Sequence, residues 1–242
     1  MTMTSTTAHP THPSGAVAES LLAGIDLHRR FGPTVALDGA SVEIVAGEVI
    51  ALMGPSGSGK STLLHCLAGI LKPDRGEVRY RGSRIDTLPD EVRSRLRRDD
   101  FGFVFQFGQL VPELSAIENV TLPLRLGGVG KRQAEARARE WLERLEVDDV
   151  ASKRPGELSG GQSQRVAVSR ALITGPRVVF ADEPTGSLDS LNGELVMTLL
   201  VDTARKQGAT VVLVTHEPRV AAYADREVIV RDGRCASPVS MP

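Results

Sequence analysis

Residues 54–61 read Gly-Pro-Ser-Gly-Ser-Gly-Lys-Ser, a match to G-x-x-x-x-G-K-[ST], and no other stretch of the chain restricts the possible folds as much. Ahead of it, Val49–Met53 is short, continuous and apolar, the pattern of a buried parallel strand. Behind it, Leu63, Leu64, Leu67 and Ile70 fall on one helical face. Strand, glycine loop and helix together read as a P-loop. Gly54, Gly57 and Gly59 allow positive φ and close approach of the backbone, so that the loop carrying Pro55, Ser56 and Ser58 turns successive N–H groups inward at phosphate oxygens. The helix starting near Lys60 and Thr62 adds its positive end. Lys60 is placed to reach the β- and γ-phosphates, and the Ser61 hydroxyl to ligate Mg²⁺. The alternative is a glycine-rich turn with an incidental lysine, which the flanking apolar patterns disfavour.

A chain of 242 residues is long enough for one large domain or two small ones with a sizeable core. A net charge of -1 gives no electrostatic footprint for nucleic acid. The two cysteines, Cys66 and Cys235, show neither metal-ligand nor disulfide spacing, which points to a reducing compartment. No run approaches the roughly 18 apolar residues of a membrane span.

Residues 1 to about 18 are rich in Thr, Ser, Pro, His and Ala without apolar periodicity, and read as a disordered tail lacking the apolar core of a secretory signal. His9 and His12 within it carry no further pattern. From about Leu21 to Gly47 the chain is strand-like and broken at Gly32-Pro33 and Asp38-Gly39, predicting antiparallel strands at Ala23–Arg30 and Ser41–Val45. Phe31 closes the first as either a stacking platform for an adenine ring or a core-edge aromatic. Lys72–Gly76 is a turn before a strand at Glu77–Arg81. Arg93, Arg95, Arg97 and Arg98 run into Asp99-Asp100, which predicts a self-paired solvated face rather than a nucleic-acid patch.

Phe101–Gln106 reads as a core strand that delivers Gln106, whose amide oxygen suits Mg²⁺ or a water. Helical character follows from Ala116 to about Glu146, with Ala134, Ala138, Trp141, Leu142 and Leu145 on one face. About residues 107–172 are expected to form a helical insertion in an α/β domain. Inside it, Leu158-Ser159-Gly160-Gly161-Gln162 precedes a helix; Ser159 reads either as an N-cap or as part of a second anion site. Val178–Ala181 is a further buried strand ending in Asp182-Glu183, at the edge where open α/β sheets bind ligands. Asp182 suits the shell of Mg²⁺ and Glu183 the positioning of an attacking water, although two acids closing a strand also cap turns. Gly186–Asp189 is a polar turn into a helix. His216 ends the strand Thr210–Thr215, as a structural histidine or a donor to a γ-phosphate. Glu227–Val230 is the expected last strand, with a loose end from Cys235.

In this order the motifs resemble the nucleotide-binding subunit of ATP-binding cassette transporters, over about residues 21–235. The resemblance implies an α/β P-loop NTPase fold with a RecA-like parallel core sheet, an N-terminal antiparallel β subdomain and an inserted α-helical subdomain, bounded by tails at 1–18 and 236–242. It implies ATP and Mg²⁺ as cofactors. Phe31 then looks like the adenine-stacking aromatic, Gly54–Thr62 the Walker A loop, Gln106 the Q-loop residue and Leu158–Gln162 the signature. Val178–Asp182 looks like Walker B, Glu183 its catalytic carboxylate, Ser187–Asp189 the D-loop and His216 the switch histidine. The family logic has two copies, or two homologous ATPase chains, facing head to tail so that ATP lies between Lys60 of one and Ser159 of the other. It also implies a separate membrane permease and a cytoplasmic place on the inner face of the membrane. A finer likeness, to the lipoprotein-release and macrolide-export group, rests on Phe103–Gln106, Val111–Ser115 and Asp182–Asp189. Ser187 departs from the usual Asn of that group, and Ser163 from a usual Gln or Glu. Phe31 lacks the hydroxyl of the commoner tyrosine. Related cassettes that signal across the membrane without transport share these motifs, whereas those of DNA repair or the ribosome carry coiled-coil or zinc insertions or a second cassette, which this sequence lacks. Phe107, Leu110, Val111 and Leu114, just after Gln106, either dock a permease helix or pack the insertion.

Overall fold

The computed structural model describes residues 20–236; the expected N-terminal tail, with His9 and His12, lies outside them. The chain begins with a hairpin of β1 (Ser20–Phe31) and β2 (Thr34–Val45), turned at Gly32-Pro33 with Phe31 opposite Thr34. Both strands are longer than the sequence pattern suggested, because Thr34–Ala40 pairs back along β1 through Asp38-Gly39 instead of breaking there. β3 (Val49–Met53) and α1 (Lys60–Leu67) flank the P-loop. β4 (Arg75–Tyr80) and β5 (Ser83–Arg84) complete a four-stranded antiparallel sheet in the order β2-β1-β4-β5. Ile70 lies beyond the end of α1 and is 40% exposed, so the expected apolar face stops at Leu67.

The arginine run lies in α2 (Asp90–Asp99). It pairs in part with its own acids, Arg98 with Asp99 and Arg93 with Asp90. Arg93 and Arg97 also donate to the carbonyl of Gly69, just past the C-terminus of α1, where a positive charge is favourable. β6 (Phe101–Phe105) follows, and Gln106 leaves from its end. The helical stretch from Ala116 is two helices, α3 (Ala116–Leu126) and α4 (Lys131–Arg144), parted by the turn at residues 127–130. α5 (Gly160–Leu172) packs against both and then lies directly on β6: a Cβ on Gly102 would stand 2.4 Å from the Ala171 carbonyl oxygen.

β7 (Val178–Asp182), α6 (Ser190–Lys206), β8 (Thr210–Thr215), the short α7 (Pro218–Ala221), β9 (Arg226–Arg231) and β10 (Arg234–Ala236) complete the described chain. Cys235 is thus part of a strand, and the last one is β10. The second sheet runs β10-β9-β3-β8-β7-β6, with β10 antiparallel and the other five strands parallel.

Alternate residues of the parallel strands enter two separate cores. Val49, Ala51, Val179, Ala181, Val211 and Leu213 face α3–α6. Ile50, Leu52, Val178, Phe180, Val212 and Val214 face α1 and the antiparallel sheet. A sheet covered on both faces needs continuously apolar strands, which is why these segments lack polar alternation. Polar groups are then confined to the strand ends.

Candidate active site

The parallel strands end level with one another. Met53 pairs with Thr215, Asp182 with Val214, and Phe105 with Asp182. The residues that follow, Gly54, Glu183, His216 and Gln106, therefore leave the same edge of the sheet, where backbone groups and side chains are no longer consumed by the ladder.

Three glycines fix the P-loop. Gly54 has φ 151° and a Cβ there would stand 2.1 Å from the Val230 carbonyl oxygen; Gly59 has φ 102° and its Cβ would meet the Ala36 carbonyl oxygen at 2.3 Å. Gly57, at φ 77°, has open space around it. Gly59 is also the N-cap of α1 and supplies no side chain, so the first-turn N–H groups have no side-chain acceptor. Lys60 is only 6% exposed, and its ammonium donates to the carbonyl oxygens of Gly54 at 2.8 Å and Pro55 at 2.9 Å. No carboxylate within salt-bridge distance balances it among the described residues. A buried cation held only by carbonyl dipoles favours an anion beside it. The buried Ser58 hydroxyl likewise has no partner. Pro55 and Ser56 are exposed and Thr62 half-buried, on the open side of the loop and the first turn of α1.

Across from α1, Ser61 Oγ donates to Asp182 Oδ1 at 3.1 Å. Burial pushes the Asp182 carboxyl above the ordinary carboxylate range, against the opposing pull of the Ser61 hydroxyl and of His65 and Lys60. A hydroxyl oxygen facing a carboxylate beside an anion-seeking loop is a donor set that suits Mg²⁺. No group of three or more His, Cys, Asp and Glu that could hold a metal occurs among the described residues, so protein oxygens alone do not enclose an ion there.

Glu183 adopts φ 47°, an uncommon left-handed conformation for its residue type, with its N–H bonded to the Val214 carbonyl at 2.9 Å. Its carboxylate lies 2.8 Å from His216 Nδ1 and 3.4 Å from the Thr215 hydroxyl, so the ends of β7 and β8 are joined through the acid. Gln106 is not in that group. Its side chain lies against Gly186, where a Cβ would be 2.7 Å from its Nε2, and its carbonyl accepts from Ser187 Oγ at 2.8 Å.

Ser159 caps α5 through a reciprocal pair, its hydroxyl accepting from the Gln162 N–H and the Gln162 amide oxygen accepting from the Ser159 N–H. The capping role is thus realised. Ser159 and Gly160 are nevertheless exposed, and no hydrogen bond joins residues 158–162 to the P-loop among the described residues. Gly161 is buried against Asn192, which also bonds Asp189, the N-cap of α6. Phe31 is 45% exposed with the Arg29 guanidinium over its ring at 4.9 Å, and so is not a core aromatic. Of the apolar residues after Gln106, Leu110 packs on the core, whereas Phe107 is 71% exposed.

Sequence reasoning missed Gln164, Arg170 and Thr215. Gln164 bonds the Phe105 carbonyl at 2.8 Å and Arg170 those of Gly108 and Gln109. The signal for Gln164 was present: it shares a helical face with the buried Val168 and Ala171, where an apolar residue is expected.

A family model described as ABC transporter matches residues 37–186, from β2 through the P-loop to the turn after Glu183. The chain belongs to the ABC transporter family. It is the ATPase component of that family, 48% identical over 198 residues to the lipoprotein-releasing system ATP-binding protein LolD of Paramagnetospirillum magneticum, covering 81% of this chain and 87% of the relative. It is 47% identical to the macrolide export ATP-binding/permease protein MacB 1 of Yersinia pestis, over 82% of this chain but 30% of that longer protein. The ABC cassette fold is also that of the ATP-binding cassette MJ0796, solved as a dimer in a post-hydrolysis state with ADP and Pi. The two share 38% identity with a TM-score of 0.82, covering 91% of this chain and all of the other.

Proposed function

We propose that this ABC ATPase binds MgATP between two head-to-tail copies and hydrolyses it to drive a separate membrane permease of the export or lipoprotein-release type. One observation carries the reading. Lys60, Ser61, Asp182, Glu183 and His216 converge at one sheet edge, while Ser159 stands exposed at the end of a helix elsewhere on the same chain. A second copy supplies the missing anion site if its α5 N-terminus faces this P-loop.

In this reading the Gly54–Thr62 loop and Lys60 hold the β- and γ-phosphates, and Phe31 stacks on the adenine with Arg29 behind it. Ser61, Asp182 and Gln106 hold Mg²⁺, which when bound neutralises phosphate charge. Glu183 accepts the proton of the attacking water, and His216 orients Glu183 and the γ-phosphate. Ser159–Gln162 of one copy close over the phosphates of the other, beside Asp189.

The permease would dock on a groove of about 440 Å³ lined by Phe103, Phe105, Leu122, Leu126 and two of the α2 arginines. It would hold the chain on the inner face of the membrane. No helix among the described residues is long and apolar enough to cross a bilayer.

The shared site is tested by mixing two inactive variants, Lys60→Ala and Ser159→Arg. Their heterodimer has one composite site with both elements intact, so an equimolar mixture recovers up to about a quarter of wild-type hydrolysis. No recovery at any ratio, or wild-type hydrolysis by Ser159→Arg alone, overturns the shared-site reading.

A further inference from the structure

The loop after β6 is fastened by side chains from two places. From α5, Gln164 Nε2 donates to the Phe105 carbonyl at 2.8 Å, and Arg170 donates through Nη2 to Gly108 at 2.7 Å and Nη1 to Gln109 at 2.9 Å. The carbonyl between them, that of Gln106, accepts instead from Ser187 Oγ, in the turn that runs from Glu183 to α6.

These fasteners differ in kind. Gln164 is 1% exposed, and burial lowers the pKa of the Arg170 guanidinium. Removing Gln164 leaves the half-buried Phe105 carbonyl without that donor, and removing Arg170 does the same to the carbonyl of the buried Gly108, so the α5 attachments are permanent parts of the fold. Ser187 is exposed, and water can take its place on the Gln106 carbonyl. The same turn also accommodates the Gln106 side chain, because Gly186 has no Cβ to displace it. No hydrogen bond joins that amide to Ser61 or Asp182 among the described residues. To reach them, Gln106 has to leave Gly186, and the Ser187 bond is what holds its backbone there.

We propose that Ser187 is a positioning residue, a releasable latch that ties Gln106 to the turn carrying Glu183, while Gln164 and Arg170 keep the rest of the loop fixed to α5. The proposal rests on the reading of Gln106 as a group that acts at the Ser61–Asp182 pair. Its consequence is local: movement of the Glu183 turn frees or holds Gln106 directly.

Hydrogen exchange of the amides of Gln106 and Phe107, which flank the latched carbonyl, in the nucleotide-free protein tests the latch apart from activity. Ser187→Ala should raise their exchange by a factor of about three to ten with the melting temperature unchanged, and Ser187→Thr, which keeps the hydroxyl, should restore wild-type protection. Because the latch opposes engagement, Ser187→Ala should also lower the Mg²⁺ concentration that half-saturates ATP hydrolysis. Wild-type exchange in Ser187→Ala, or Ser187→Thr exchanging as fast as Ser187→Ala, overturns the latch. Gln106→Ala separates the two ideas. Unchanged Mg²⁺ dependence in that variant overturns the reading of Gln106, whereas a changed one beside an unaffected Ser187→Ala overturns the latch alone.

Discussion

Replacing Glu183 by Gln separates the chemistry of the site from its construction. In the native arrangement one carboxylate oxygen is 2.8 Å from His216 Nδ1 and the other 3.4 Å from the Thr215 hydroxyl. A glutamine of the same shape can accept from His216 with its carbonyl and turn its amide toward Thr215. The backbone bond from residue 183 to Val214 is untouched. The His216 side chain is 56% exposed, so the exchange of a charged for a neutral acceptor should change unfolding free energy by no more than about 1 kcal/mol. The amide cannot take a proton from water. Loss of a positioned general base lowers hydrolysis by about 10²–10⁴-fold, or roughly 3–5 kcal/mol in activation free energy. Single-turnover hydrolysis of ATP, paired with equilibrium nucleotide binding, reads the two effects separately: binding is retained while the chemical step slows, and ATP-bound dimer accumulates. A variant within tenfold of the wild-type single-turnover rate would refute the assignment. A variant that folds but no longer binds ATP would show that Glu183 builds the pocket rather than performing the chemistry.

Two further outcomes are expected. Because burial raises the Asp182 pKa above 3.8, the native state keeps that proton to a higher pH than the unfolded chain does, and stability is lost as pH rises from about 4 through the native value. Asp182→Asn removes that loss, so urea titrations from pH 3 to 7 should show the variant gaining on wild type across this window and levelling off above it; a constant difference would contradict the desolvation argument. Phe107→Glu should fold and bind nucleotide normally, since the ring is 71% exposed, yet lose co-purification with the membrane partner. Wild-type recovery of the partner would exclude docking at Phe107.

Much of the site was legible in the sequence because its groups sit where apolar strands stop. A strand buried on both faces has no place for Asp182, Glu183, His216 or Gln106 except its end, and Gly54 and Gly59 of the P-loop are dictated by backbone approaches of 2.1 and 2.3 Å that no side chain tolerates. Local capping was equally readable, and Ser159 is the expected N-cap, to which the structure adds the reciprocal bond to Gln162. Other features depend on which distant segments meet. Nothing local to Thr34–Ala40 shows that it pairs with β1, or that Arg93 and Arg97 serve the end of α1 as well as their own acids. Whether Phe107 or Leu110 faces solvent is set by how the loop is drawn onto α5, because both are apolar and three residues apart. The attachment of Ser187 to Gln106 spans 81 residues of chain, and only the tertiary structure, by ending β6 beside β7, brings that hydroxyl to that carbonyl.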